Sequence, residues 1–371
     1  MEILNSIRKE VLNLNYYTAG KVPAKKGVRC IKLSSNENPF GSSPLALKQI
    51  KRVLKGKLFR YPDPGINGLR NALVNFWKKR NIVIDPTQLL FGDGSGEILN
   101  MLMLAFISQN DAVIIPEKSF ILYSLLSIPK GANLVEVQRK NFKIDLDALL
   151  KAIKTTKAPK MIILANPDNP TSTMLEKTEL ISFLREVPPE MAVLIDEAYI
   201  HFAGIENSLI GMINEFPNLV ISHTYSKAYG LAGLRVGYAV MNPEVEKQVE
   251  KVRLPFNLGI LQQEGAKAAL SDEGFLMKTL KETTRGRIYI EEELGKLDIW
   301  YLKSYGNFIF ANLGNKSDKI VKYLEENGIT IRNLESFGFT SNYVRISIGK
   351  MADNIYLIKK LNEAIKLFCG G

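Results

Sequence analysis

From about residue 85 the chain repeats one unit: a short run of apolar, largely β-branched residues, then a segment long enough for a helix. Seven such runs follow one another, at 89–91, 112–115, 134–137, 161–164, 192–195, 219–221 and 236–240. A strand with one wet face alternates apolar and polar residues. Runs that are apolar almost throughout suit strands buried on both faces, as in a mainly parallel sheet covered by helices. This pattern predicts an α/β fold with a mainly parallel seven-stranded sheet. A helical stretch then runs from Pro243 to Ala269, interrupted at Pro255, and helical segments alternate with runs at 308–311, 329–332 and 344–348. The expected organisation is an N-terminal arm (1–45), a large domain (46–255) and a smaller α+β domain (256–371).

Open α/β sheets bind ligands beyond the carboxyl ends of their strands, and polar residues cluster there. Gly92-Asp-Gly94-Ser95-Gly96-Glu97 follows the first run, Asn166-Pro-Asp-Asn169-Pro-Thr the fourth, Asp196-Glu197-Ala-Tyr199 the fifth, and Ser222-His-Thr224-Tyr-Ser226-Lys227 the sixth. Four such ends facing one crevice predict a site. The glycine-rich turn opens a helix, so it resembles a phosphate cup of backbone N–H groups, with a tight left-handed turn as the plain alternative. It is not a dinucleotide fingerprint, because position 97 is Glu and no acid closes the next strand. Nor is it a nucleophile elbow, since Glu97 replaces the final glycine of G-x-S-x-G, and Walker A is absent.

Lys227 is the sharpest single signal. It follows a short buried strand, among small and aromatic residues, in Ser226-Lys-Ala-Tyr-Gly-Leu-Ala-Gly-Leu-Arg235. A buried ammonium is costly, whereas a desolvated lysine near other cations attacks carbonyls. Arg235 can fork onto a phosphate, and Asp196 can keep a pyridinium nitrogen protonated.

Composition removes several other functions. The net charge is +11, and the densest basic stretch runs from Lys48 to Lys57. There the basic residues fall at helical spacing opposite Ile50, Val53 and Leu54, which makes an ordinary surface helix and not a nucleic-acid patch. Two cysteines at opposite ends, Cys30 and Cys369, and two histidines argue against a disulfide framework or a zinc cluster. The first residues lack the uninterrupted apolar core of a signal peptide, and no apolar run is long enough to span a bilayer. The expectation is a cytoplasmic enzyme of small molecules, with no metal, nucleic acid or membrane partner.

The motifs Asn36-Glu-Asn-Pro-Phe-Gly41, Tyr61-Pro-Asp-Pro64, Gly94-Ser-Gly-Glu97, Asn169-Pro-Thr171, Asp196-Glu-Ala-Tyr199, Ser226 to Arg235 and Val344-Arg-Ile-Ser-Ile-Gly349 cover nearly the full length. With them the chain resembles the fold-type I pyridoxal-phosphate aminotransferases. The Asn-Glu-Asn-Pro and Tyr-Pro-Asp-Pro pair narrows the resemblance to their histidinol-phosphate branch and its relatives. That resemblance implies pyridoxal 5′-phosphate as cofactor and amino transfer from L-histidinol phosphate to 2-oxoglutarate, in histidine biosynthesis. An aromatic amino-acid aminotransferase or a threonine-phosphate decarboxylase is the alternative on the same frame, and a non-catalytic basic binding protein the alternative of another class. Lys227 is implied as the Schiff-base lysine and proton shuttle, Asp196 as the partner of the ring nitrogen, Tyr199 and Asn169 as donors to the ring oxygen, and Phe120 as the stacking aromatic. Ser95, Gly96, Thr224, Ser226 and Arg235 are implied to hold the phosphate, joined by Tyr61 from the other subunit of a homodimer with shared sites. Arg345 matches the carboxylate clamp, and Arg332, Tyr17 and Asn38 complete the substrate-binding set. The chain departs from the family's usual pattern at Gly96, Ser172, His223 and Lys350, where an acid, Gly, Arg and Thr are common.

Overall fold

The computed structural model describes residues 2–12, 14, 20, 30–56 and 58–369. Among the described residues twelve strands form two sheets. They are β1 (Ile31–Leu33), β2 (Leu89–Gly92), β3 (Ala112–Pro116), β4 (Asn133–Val137), β5 (Pro159–Ala165), β6 (Ala192–Asp196), β7 (Leu219–Thr224), β8 (Gly237–Met241), β9 (Trp300–Tyr301), β10 (Phe308–Asn312), β11 (Ile329–Asn333) and β12 (Tyr343–Ser347). The seven-stranded sheet has the order β2-β8-β7-β6-β5-β3-β4. Its pairings are parallel from β4 through β7, and β8 runs antiparallel to both neighbours.

The apolar runs fill both faces of this sheet. Phe91, Ile162, Leu164, Val193 and Ile195 enter one core, while Leu90, Met161, Ile163, Ala192 and Leu194 enter another on the opposite face. Period-two side-chain direction splits each run between two apolar layers, so continuous hydrophobicity and strand geometry agree. The carboxyl ends of β5, β6 and β7 therefore open side by side.

The five-stranded sheet, β1-β11-β12-β10-β9, is mixed. Its alternate residues Ile309, Ala311, Ile329, Ile331, Val344 and Ile346 pack with the helices Glu273–Lys296 and Met351–Phe368. β1 brings the N-terminal segment into this sheet by pairing parallel to β11.

The expected division at residue 255 does not coincide with a break in packing. Leu258, Ala266, Ala269, Leu270 and Leu276 lie in the same core as β2, β5 and β6. Gly265 permits this: a Cβ there would meet Leu234 at 2.8 Å and Ile50 at 3.0 Å, so the helix Ile260–Leu270 lies close against Pro44–Leu54. Only farther along Glu273–Lys296, at Ile290 and Leu294, does the chain enter the core of the five-stranded sheet.

Candidate active site

A cleft of about 270 Å³ lies at the carboxyl ends of β5, β6 and β7, closed on its other side by β11, β12 and residues 34–37. Each end supplies a side chain because the strand stops there and the next residues turn over the edge. Asp196, the last residue of β6, is 5 % exposed. Its Oδ1 accepts hydrogen bonds from Ser222 Oγ and the Ala198 N–H, both at 3.1 Å, and its Oδ2 accepts from the Tyr123 hydroxyl at 3.2 Å. Burial raises its pKa, opposed by these three donors. A carboxylate has about four acceptor positions, so three internal donors leave room for one more N–H.

Lys227 stands half-buried one loop beyond β7. Its Nζ donates to the Ser35 carbonyl at 3.5 Å and lies 5.5 Å from the centre of the Tyr199 ring. The Tyr199 hydroxyl accepts from Asn36 Nδ2 at 3.1 Å, and its ring meets Phe308 edge-on. Phe120 lines the cleft and packs edge-on against Tyr123.

A compact anion cradle lies beside them. Thr224 Oγ1 donates to Ser226 Oγ at 2.9 Å, and Arg235 Nη1 reaches the same hydroxyl at 3.4 Å. Arg235 adopts φ 55°, the left-handed region that is uncommon for a residue with a Cβ. This turn faces the start of the helix Gly94–Phe106, where Ser95 and Gly96 line the cleft. Two glycines make the approach possible: a Cβ on Gly94 would collide with the Arg235 guanidinium, and one on Gly237 would lie 2.5 Å from the Ser95 nitrogen. Backbone N–H groups at a helix start, two hydroxyls and a guanidinium are the donor set of a phosphate site. Glu97 takes no part in it. Its carboxylate accepts from the Asp93 N–H and from Asn257 Nδ2, securing the turn from behind.

The opposite wall is cationic. Arg332 and Arg345 are register partners across the antiparallel pair β11–β12, so their side chains leave one sheet face side by side. Both are mostly buried, at 9 % and 7 % exposure. Arg345 donates from Nη1 to Asn169 Oδ1 at 2.6 Å and from Nη2 to the Ser34 carbonyl at 3.2 Å. Arg332 donates to Ser336 Oγ at 3.0 Å. The ring of Phe337 lies within 6 Å of both guanidinium carbons, at 5.9 Å and 5.8 Å.

The structure thus gathers Ser95, Gly96, Phe120, Asn169, Asp196, Tyr199, Thr224, Ser226, Lys227, Arg235, Arg332 and Arg345 around one cleft. It does not bring Asn38 there. The Asn38 amide donates to the carbonyls of Lys227 and Ala228 and to Thr279, bracing the lysine turn from behind. Tyr61 is 80 % exposed and stacks on Phe256, outside the cleft of its own chain. Tyr17 lies outside the described residues. The sequence reading missed Tyr123, Ser222 and Asn36. For Ser222 a signal existed, since it alternates with Thr224 along β7 and so shares its side of the strand.

Two departures from the family's pattern have a structural account. Ser172 keeps a left-handed φ of 59°, and its hydroxyl bonds Ser304 Oγ and the Gly306 N–H, both at 2.8 Å. His223 lies on the other side of β7 from the cleft, with Nε2 2.8 Å from Glu197 Oε2 and Nδ1 3.2 Å from the Tyr238 hydroxyl. Among the described residues no group of three or more His, Cys, Asp or Glu side chains could hold a metal ion. No helix among them is long and apolar enough to cross a membrane.

The profile of the family "Aminotransferase class I and II" matches residues 28–361. Histidinol-phosphate aminotransferase 2 of Hydrogenovibrio crunogenus is 37% identical over 340 residues, covering 91% of this chain and 89% of its own. Histidinol-phosphate aminotransferase 1 of Mannheimia succiniciproducens is 36% identical, with 99% and 100% covered. The solved structure of histidinol-phosphate aminotransferase from Sinorhizobium meliloti, in complex with pyridoxal-5′-phosphate, superposes with a TM-score of 0.86 at 24% identity over 97% and 98% of the two chains, which is a likeness of fold.

Proposed function

The chain belongs to the class I and II aminotransferases, and from that premise we propose that it binds pyridoxal 5′-phosphate in this cleft and transfers the amino group of L-histidinol phosphate to 2-oxoglutarate. The cofactor fits the residues present: a phosphate cradle that two glycines keep open, a buried carboxylate with an acceptor position to spare, and an amine lining the same cleft. Pyridoxal phosphate, when bound, supplies an aldehyde that takes the substrate amine and a ring that draws electrons from the neighbouring C–H bond.

The protein's residues do the rest. Ser95, Gly96, Thr224, Ser226 and Arg235 hold the phosphate. Asp196 keeps the ring nitrogen protonated, its orientation fixed by Ser222 and Tyr123. Tyr199 and Asn169 serve the ring oxygen, and Phe120 covers a ring face. The Lys227 amine carries the cofactor and then moves the proton at the substrate carbon.

The observation that carries the substrate reading is the pairing of Arg332 with Arg345. Histidinol phosphate has a phosphate and no carboxylate, whereas glutamate has two carboxylates. Guanidinium forks accept both oxyanions, so Arg345 grips the phosphate of one substrate and a carboxylate of the other. Arg332 or Tyr17 assists at the anion's far side. The proposed assembly is a cytoplasmic homodimer in which the outward-facing Tyr61 reaches the partner's phosphate cradle. Cys30 and Cys369 are both exposed, and neither is in a disulfide.

Single-turnover half-reactions with histidinol phosphate, phenylalanine, tyrosine and threonine phosphate test the substrate. Histidinol phosphate is expected to react fastest, and a faster aromatic donor would move the chain to the aromatic branch. Mixing Tyr61→Phe with Lys227→Ala subunits tests the shared site: partial recovery of activity supports it, and no recovery places Tyr61 in its own chain.

A further inference from the structure

Arg139 lies two residues beyond the edge strand β4, outside the cleft lining, and was not among the expected site residues. Its side chain is only 3 % exposed, and that of its partner Asp168 only 2 %. Its guanidinium bridges two segments. Nε donates to the Glu117 carbonyl at 2.7 Å and Nη2 to Ser119 Oγ at 3.2 Å, both in the loop that leads to Phe120. Nη1 and Nη2 also fork onto the two Asp168 oxygens at 3.1 Å and 3.2 Å. Asp168 precedes Asn169 and also accepts from the Thr171 hydroxyl at 2.6 Å and the Thr171 N–H at 3.3 Å.

A buried ion pair is weak as a source of stability, because desolvating two charges offsets their attraction. What a bidentate fork does supply is a fixed distance and angle between the groups it joins. Here it joins the loop of Phe120 to the turn of Asn169, and Asn169 in turn receives Arg345. We infer that Arg139 is a positioning residue that sets the gap between Phe120 and Asn169, and through it the slot for the cofactor ring and the angle of Arg345. This rests on the reading of the cleft as a pyridoxal-phosphate site.

Two variants separate positioning from bulk stability. Arg139→Lys keeps a cation beside Asp168 but offers a point donor in place of the fork. The double variant Arg139→Met/Asp168→Asn removes both charges and so leaves neither buried alone. The measurements are the melting temperature of the cofactor-free protein, and titration with pyridoxal phosphate followed by the visible absorption of the bound form at several pH values. Both variants are expected to melt near the wild type, to bind the cofactor roughly tenfold or more weakly, and to shift the pH response of the visible band. Wild-type affinity and an unaltered band in the double variant overturn the inference, and the lysine variant decides alone should the double variant not fold. If the wild type itself gains no Lys227-dependent visible band, the reading of the cleft fails instead.

Discussion

The two walls of the cleft are built on different principles. The wall carrying Asp196, Thr224, Ser226 and Lys227 consists of successive strand ends of one sheet, with apolar cores on both faces. Each side chain there is placed by the end of its own strand. The facing wall consists of two arginines thirteen residues apart in sequence, 332 and 345, brought together by the register of an antiparallel pair in a different sheet. The contact of Arg345 with Asn169 joins the two. On the proposed function the first wall bears the groups that make and break bonds, and the second bears groups that only recognise an anion. Damage to the first should therefore lower the rate with every substrate, while damage to the second should sort substrates from one another.

The largest effect expected is that of Lys227→Ala. It removes both the covalent anchor and the proton shuttle, so turnover should fall by roughly 10⁴-fold or more with every amino donor, and the visible band of the bound cofactor should vanish. Next is Asp196→Asn, which takes a preorganised negative charge from the ring nitrogen; a loss of roughly 10²- to 10³-fold in the rate, equal for all donors and with the cofactor retained, is the expected result of stopped-flow half-reactions. Near-native turnover would remove Asp196 from this role.

On the other wall, Arg345→Ala should cost both half-reactions about 2–5 kcal/mol of transition-state binding, since it leaves a desolvated anion without its partner. A glutamate half-reaction untouched by this change would end the shared-anion account. Arg332→Ala is expected to be milder and unequal, about tenfold or 1.4 kcal/mol on one half-reaction and less on the other. Equal losses in both would make the two arginines one undivided clamp.

The smallest effect probes the buried layer behind the first wall. His201, packed edge-on against His223 and Tyr229, has its pKa lowered by burial from 6.5 to about 3. The folded chain thus refuses a proton that the unfolded chain accepts, so this contribution is fully present above pH 6.5 and is lost as pH falls toward 3. One such group gives a slope of at most about 1.4 kcal/mol per pH unit. Glu246, raised by burial to about 7, opposes it in the same range by taking up a proton as pH falls. The comparison is therefore between variants: urea midpoints of His201→Gln should fall less steeply than those of the wild type between pH 6.5 and 5. An identical pH dependence in the two would show that His201 titrates normally.

The sequence by itself determined the first wall. Short strands that are apolar almost throughout are satisfied between two apolar layers, and the polar residues just past each run then gather at one edge of the sheet. That logic needs only local pattern and chain continuity, and it reached Asp196, Tyr199, Thr224, Ser226 and Lys227. Sequence likeness added Phe120, Arg332 and Arg345 as names without a geometry. The tertiary structure alone decided how they meet. Arg332 faces Arg345 because β11 and β12 pair in one register and not another. The Tyr123 hydroxyl reaches Asp196 across 73 positions, and the Asn38 amide donates to the carbonyls of the lysine turn. Arg139 finds Asp168 because β4 and β5 both flank β3. Hydrogen bonds and forked ion pairs act over about 3 Å, so they depend on which distant segments the sheet order makes neighbours. Hydrophobic periodicity repeats along the chain and can be read there, whereas a contact made once between remote segments leaves no periodic trace.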